Sequence, residues 1–93
     1  MSQTDSEKIQ RMTLLRCLHL LHGFTARGDM TPTEIEARVR TAVGDVVFDE
    51  VRGRIIDGDY PDVGTDQWAD WYPRAAVALR EGHDVPTLKG DAS

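Results

Sequence analysis

The sequence predicts an all-α fold, a compact bundle of about four helices. Apolar residues recur at helical spacing in four segments, and the strict alternation that marks a half-buried strand is absent. A chain of 93 residues buries only about 60 to 65% of its unfolded surface, so it supports one core. We therefore expect a single helical domain over residues 1–82. Its helices are predicted at residues 6–22, 32–43, 46–57 and 66–81.

The first predicted helix, residues 6–22, is apolar over more than one stripe. It contains no glycine or proline, and it is rich in leucine and straight-chain residues that favour helix. Thr4, Asp5 or Ser6 can cap its start, and Gly23 is expected to end it. The wide apolar surface predicts a helix that is central in the bundle, or central and shared with a second copy of the chain.

The second predicted helix, residues 32–43, has the clearest start signal in the chain. Thr31 is a typical N-cap, and Pro32 fits the first helical position, where a missing N–H costs nothing. Glu34 stands three residues after Thr31, as a capping box requires. Gly44 is expected to end this helix.

The third segment, residues 46–57, is less distinct. Its apolar residues fall on one helical face, and Asp45 can cap its start. Its many β-branched residues and Gly53 weaken helix propensity, so a short hairpin stays open as the alternative. The residues of the apolar face are Val47, Phe48, Val51 and Ile55.

The fourth segment, residues 66–81, keeps helical spacing across a proline. Pro73 lacks an N–H and disfavours helical geometry at the residue before it, so the helix should bend or restart there. Gly82 is expected to end it. We expect residues 83–93 to form a flexible tail, and both ends of the chain to fray.

The acidic and aromatic stretch from Asp57 to Pro73 raises the question of a calcium loop. A loop beginning at Asp57 would need an oxygen ligand where Pro61 stands, and a bidentate glutamate where Trp68 stands. The spacing therefore fails, and we interpret the aspartates as parts of a polar turn. No metal site and no cofactor are predicted.

The aromatic residues of this stretch divide into two pairs. Trp68 and Tyr72 continue the apolar face of the fourth helix, so we expect both in the core. Trp71 lies about 60° from Trp68 around the helix, and Tyr60 lies in a loop. We expect Tyr60 and Trp71 to be exposed and to contact a partner, and Trp71→Ala to weaken binding with little loss of stability.

The first helix also carries a basic, partly apolar side. Cys17 lies about 160° around the helix from His19, so it does not join the histidines in a zinc site, and on the apolar side its thiol should be inert. The basic side is either solvated or meets an acidic partner surface. Its candidate partner-binding residues are Arg11, Leu15, His19 and His22, with Lys8 and Arg16 beside them.

Nucleic-acid binding is the alternative function. Residues 32–56 read as helix, turn, helix, and Arg52 and Arg54 are the candidate DNA contacts. Asp49 and Glu50 share that helix, however, and the chain carries a net charge of -5, which opposes attraction to phosphates. We therefore rank DNA binding second.

The function expected first is protein binding without catalysis. The chain has no G-x-S-x-G, P-loop or G-x-G-x-x-G motif, so we expect no enzyme. No apolar run approaches the roughly 18 residues that cross a bilayer, and the polar start is unlike a signal peptide, so we expect a cytoplasmic protein. We expect an adaptor, regulator or inhibitor with a protein partner, acting as a homo-oligomer in one version.

Overall fold

The computed structural model describes residues 2–88, with side chains from residue 6 onward. It contains four helices and, within that range, no strand, which confirms the predicted all-α bundle. None of these helices combines the length and apolarity that a bilayer span requires. The helices are α1 (Ser2–Arg27), α2 (Pro32–Val43), α3 (Asp45–Ile56) and α4 (Gln67–Glu81).

Helix α1 is longer than residues 6–22 at both ends. It passes through Gly23, which we expected to end it, and reaches Arg27 before Gly28 takes a positive φ of 72°. The last turn is held from outside the helix. Phe24 packs against the core, and the hydroxyl of Thr25 accepts a hydrogen bond from the backbone N–H of Gly64 at 3.3 Å. These contacts offset the weak helix propensity of a single glycine.

Helix α2 begins with the predicted capping box and has the predicted bounds. The Thr31 hydroxyl accepts a hydrogen bond from the Glu34 backbone N–H at 3.2 Å, and the Glu34 carboxylate accepts one from the Thr31 backbone N–H at 3.1 Å. The backbone hydrogen bond from Thr31, and secondarily its hydroxyl, lowers the pKa of Glu34. Pro32 occupies the first turn, as expected.

Helix α3 is a helix and not a hairpin, and a single residue separates it from α2. Gly44 has φ 92° and ψ 159°, a conformation that favours glycine, and it breaks the helical geometry between α2 and α3. Asp45 is therefore the first helical residue and not the cap that we predicted. Phe48 and Val51 are buried, and their packing outweighs the weak propensity of the β-branched residues.

Helix α4 runs as one element through Pro73. The sequence predicted either a bend or a restart at Pro73, and the continuous helix excludes the restart. Asp66, at its N-cap, makes no side-chain capping hydrogen bond. Gly82 ends the helix in the left-handed conformation with φ 79°, as predicted.

The core lies around the second half of α1, which contacts each of the other three helices. This confirms the prediction that the first helix is central. Its fully buried residues Cys17, Leu18 and Leu21 meet buried residues from α2, α3 and α4. Those residues are Ile35, Val39, Phe48, Val51, Trp68, Trp71, Ala75 and Leu79.

Residues 83–88, where we expected a flexible tail to begin, lie against the helices. Val85 and Leu88 pack on the core, and the Leu88 N–H donates to the Asp59 carbonyl at 2.7 Å. The rest of the expected tail, residues 89–93, lies outside the described residues, as does residue 1. The expected fraying of the chain at residue 1 and at residues 89–93 therefore concerns positions outside the described residues.

Candidate protein-binding surface

The first half of α1 carries an exposed surface that combines apolar and basic side chains. Lys8, Ile9, Met12 and Arg16 border a shallow, open depression, and His19 follows one turn later. Ile9 is 66% exposed and Met12 is 60% exposed. We call Lys8, Ile9, Met12, Arg16 and His19 the outer face of α1. Spacings of three and four residues place them side by side.

The length of α1 explains this exposure. A helix of 26 residues rises about 39 Å, whereas helices of 12 to 15 residues rise only about 18 to 22 Å. From residue 6 to residue 16 no residue is buried, and Cys17 is the first that is. The start of α1 therefore extends past the core, and among the described residues Ile9 and Met12 stay largely uncovered, whereas Leu14 and Leu15 already pack against the core.

Among the side chains of residues 6–88, no ion pair compensates the two cations of the outer face. Within residues 6–88, no carboxylate forms an ion pair with Lys8 or Arg16. Arg40 of α2, by contrast, lies 3.2 Å from the carboxylate of Asp49. The outer face of α1 thus presents positive charge to the solvent in a chain whose net charge is -5.

Tyr72 of α4 borders this face of α1 on one side. The rings of His22 and Tyr72 are stacked, with centroids 4.8 Å apart and planes 8° from parallel. His19 Nδ1 lies 3.2 Å from the Tyr72 hydroxyl oxygen. Arg11, Leu15 and His22 are half-buried on this side, while His19 is exposed. The structure therefore brings the four predicted residues of the basic side onto one half of α1.

Tyr72 itself is half-buried, and so it is not the full core residue that we predicted. The α4 ring in the core is Trp71, which is 1% exposed. Its ring centroid lies 5.2 Å from that of Trp68 in an edge-to-face contact. The expected exposure of Trp71 is wrong because its ring packs against Trp68 and Tyr60 and its indole meets the segment after α4. The carbonyl of Pro86 accepts a hydrogen bond from Trp71 Nε1 at 2.9 Å.

Tyr60 was also expected to be exposed, and it is 7% exposed. Its ring centroid lies 4.8 Å from that of Trp71. Burial is the main cause that raises its pKa. Since both rings lie within the core, neither offers an aromatic contact to a partner in this conformation.

The polar turn before α4 is organised by its backbone. The carbonyl of Asp62 accepts hydrogen bonds from Trp68 Nε1 at 2.9 Å and from the Thr65 hydroxyl at 2.8 Å. Across residues 6–88 no three His, Cys, Asp or Glu side chains converge as metal ligands would. The turn thus anchors Trp68 in the core.

Cys17 lies in the centre of the core with no exposed surface. Burial raises the pKa of its thiol to about 12. A thiol of this kind stays protonated and inaccessible near neutral pH, so it acts as a small apolar side chain.

The candidate DNA contacts on α3 face carboxylates of the same chain. Arg52 Nε lies 3.7 Å from a Glu36 oxygen, and an Arg54 guanidinium nitrogen lies 3.4 Å from an Asp59 oxygen. These ion pairs reduce the positive potential that a phosphate backbone would meet.

Two residues of the outer face, Ile9 and Met12, were not among the predicted partner contacts. At 100° per residue, Ile9 lies on the apolar half of the first helix in the sequence, and Met12 lies within its polar half. A large apolar residue among polar ones is a signal for exposure, and Met12 could have been selected on that ground. Ile9 could not, because its exposure depends on where the core ends along α1.

Searches of protein-family models, of characterised proteins and of solved structures gave no match to this chain.

Proposed function

We propose that this chain is a non-enzymatic protein-interaction module, an adaptor, regulator or inhibitor, and that it docks an acidic, partly apolar partner surface on the outer face of α1. The observation that carries the proposal is the exposure of Ile9 and Met12 between the cations of Lys8 and Arg16. Two large apolar side chains within about one turn of helix give a partner an apolar surface to bury.

Each chemical component of the face has a separate role in this proposal. Covering Ile9 and Met12 removes apolar surface from water, which is worth about 25 cal/mol for each Å². Lys8 and Arg16 add little affinity at the rim, but they attract carboxylates over a distance and repel basic surfaces. The partner is therefore an acidic surface with apolar side chains, and an amphipathic helix laid along the depression meets that description.

A site-specific photo-crosslinker tests the proposal in cells that make the protein. The crosslinking amino acid replaces Met12 in one variant and Val77 in a control. Val77 lies on α4, is 49% exposed and is apolar, so it matches Met12 in chemistry but not in position. We expect light-dependent adducts from position 12 that position 77 does not form.

Two further substitutions show whether formation of the adducts depends on the outer face of α1. Adding Lys8→Glu and Arg16→Glu to the position-12 variant should reduce the adducts strongly, since both attractions become repulsions. Identical adducts from positions 12 and 77, or none from either, would contradict the proposed docking surface.

A further inference from the structure

Helix α3 carries a second exposed face, on the side away from the core. Val46 is 83% exposed and Ile56 is 72% exposed. Together with Asp49 and Gly53 they follow a spacing of i, i+3, i+7 and i+10, so they form one stripe along the helix. Helix α3 packs against α1 and α2 but not against α4, and in this stripe Val46, Asp49 and Ile56 are exposed while Gly53 is half-buried. We call Val46, Asp49, Glu50, Gly53, Ile56 and Asp57 the outer face of α3.

The outer face of α3 is acidic, in contrast to that of α1. Glu50 and Asp57 are exposed, and within residues 6–88 neither forms an ion pair. Asp49 is partly neutralised, since Arg40 lies 3.2 Å from its carboxylate. The stripe therefore has two exposed large apolar residues with the carboxylates of Glu50 and Asp57 beside them. The exposed Arg52 and Arg54 flank it, and their guanidinium groups are paired with Glu36 and Asp59.

We propose that the outer face of α1 in one chain packs against the outer face of α3 in a second copy. This inference rests on the proposed function and names the partner. Each face carries two exposed large apolar side chains, and their charges are opposite. Pairing α1 with α1 would instead bring Lys8 and Arg16 against their own copies, which is repulsive.

Gly53 gives the α3 stripe room for a second helix at its centre. Apart from Gly53 itself, its two chain neighbours and the adjacent backbone of α3, no atom lies within 4 Å of the position that a Cβ would take at Gly53. A helix with no side chain at the contact lets its neighbour approach closely, so that the flanking Val46 and Ile56 can meet Ile9 and Met12 of the other copy.

Two such contacts, related by a two-fold axis, form a closed dimer. Each copy then contributes one α1 and one α3, and the buried area is twice that of one helix pair. A stable interface needs roughly 1,200 Å² or more, which favours the doubled contact over a single one. A closed dimer is also the commonest arrangement of identical chains.

The experiment uses charge reversal on each face separately. One variant carries Lys8→Glu and Arg16→Glu, and the other carries Glu50→Lys and Asp57→Lys, all at exposed positions. Light scattering after size exclusion, over a range of concentrations, should show a dimer for the unmodified chain. Each variant alone should dissociate, with its dimer Kd raised about 10-fold or more, because every contact now joins like charges.

Mixing the two variants in equal amounts should restore the dimer. In the mixed dimer an acidic α1 meets a basic α3, and the unchanged α1 meets the unchanged α3, so both contacts are again complementary. A control with Arg38→Glu and Arg80→Glu, away from both faces, makes the same change in net charge as the Lys8→Glu and Arg16→Glu variant, and it should remain a dimer. Circular dichroism checks that every variant is folded.

Three outcomes would overturn this inference. They are a monomer at all concentrations, a mixture that stays monomeric while both variants are folded, and assemblies that grow with concentration without closing at two copies. The proposed function is judged separately. A monomeric chain whose position 12 still crosslinks to another protein removes the second copy as partner and leaves the interaction module standing. A monomer without position-specific crosslinks removes both.

Discussion

The imidazole of His22 stacks on the phenol ring of Tyr72, with ring centroids 4.8 Å apart. This contact joins α1 to α4 next to the outer face of α1. The hydroxyl oxygen of the same tyrosine lies 3.2 Å from His19 Nδ1, so one ring meets histidines on two successive turns. Tyr72 therefore helps to fix the rotation of α1 about its own axis, and with it the direction in which the outer face points.

A double-mutant cycle tests this stack. We expect His22→Ala and Tyr72→Ala to be non-additive in urea unfolding, with a coupling free energy of about 0.5 to 1.5 kcal/mol. His83, which is exposed and lies 3.6 Å from Glu81, supplies the control. His83→Ala and Tyr72→Ala should be additive. Equal coupling in both cycles would contradict a specific contact.

The two tryptophans should contribute similarly to stability. Trp68 and Trp71 are both almost fully buried, and each donates its indole N–H to a backbone carbonyl. We expect Trp68→Ala and Trp71→Ala each to lower the free energy of unfolding by about 3 to 5 kcal/mol. Val77→Ala, at an exposed position of the same helix, should change it by less than about 0.5 kcal/mol. A Trp71→Ala protein as stable as the unmodified chain would contradict the burial of Trp71 and support the exposed, partner-binding role predicted from the sequence.

The segment after α4 should stabilise the fold although it has no helix or strand. It supplies the Pro86 carbonyl to Trp71 and donates the Leu88 N–H to Asp59. With the partial burial of Val85 and Leu88, we expect a chain ended after Gly82 to lose about 2 to 4 kcal/mol of stability. Its tryptophan fluorescence should shift to longer wavelength. A chain ended after residue 88 is the matched control and keeps every one of these contacts.

Cys17 should resist alkylation in the folded protein and lower stability at high pH. Burial raises the pKa of its thiol from an ordinary value of 9.0 to about 12. The stability from the protonated thiol is thus fully present below about pH 9, and it is lost as the pH rises toward 12, by about 1.4 kcal/mol per pH unit. Urea unfolding at about pH 8 and about pH 11 measures the loss.

Two variants separate the sources of that pH dependence. Burial also raises the pKa of Tyr60 from 10.0, so its ionisation acts in the same direction at a higher pH. Cys17→Ala should remove the loss that begins near pH 9, and Tyr60→Phe should remove the later part. Rapid modification of Cys17 by iodoacetamide near neutral pH, without unfolding, would show that the thiol is accessible.

The fold class followed from local signals in the sequence. The capping box of Thr31 and Glu34 depends on residues within one turn, and α2 has the predicted bounds. Gly82 ends α4 as predicted, because a glycine after the last periodic residue accepts the left-handed conformation. The local sequence was enough to predict these helix ends, since each signal acts within a few residues.

Features that depend on contacts between distant parts of the chain could not be predicted in this way. Gly23 does not end α1, because Thr25 and Phe24 are held by other segments. Trp71 is buried and Tyr72 is half-buried, the reverse of the expected order, because Trp71 meets Tyr60 and the Pro86 carbonyl while Tyr72 meets the histidines of α1.

The sequence by itself thus determined that this protein is helical, where its helices lie to within a few residues, and that one side of α1 is basic. The tertiary structure decided which aromatic rings are buried and which apolar residues are exposed. Helix propensity and capping are local, but burial depends on what packs against a residue from far along the chain. Ile9 and Met12 are exposed because α1 is longer than the core that the other helices build around it.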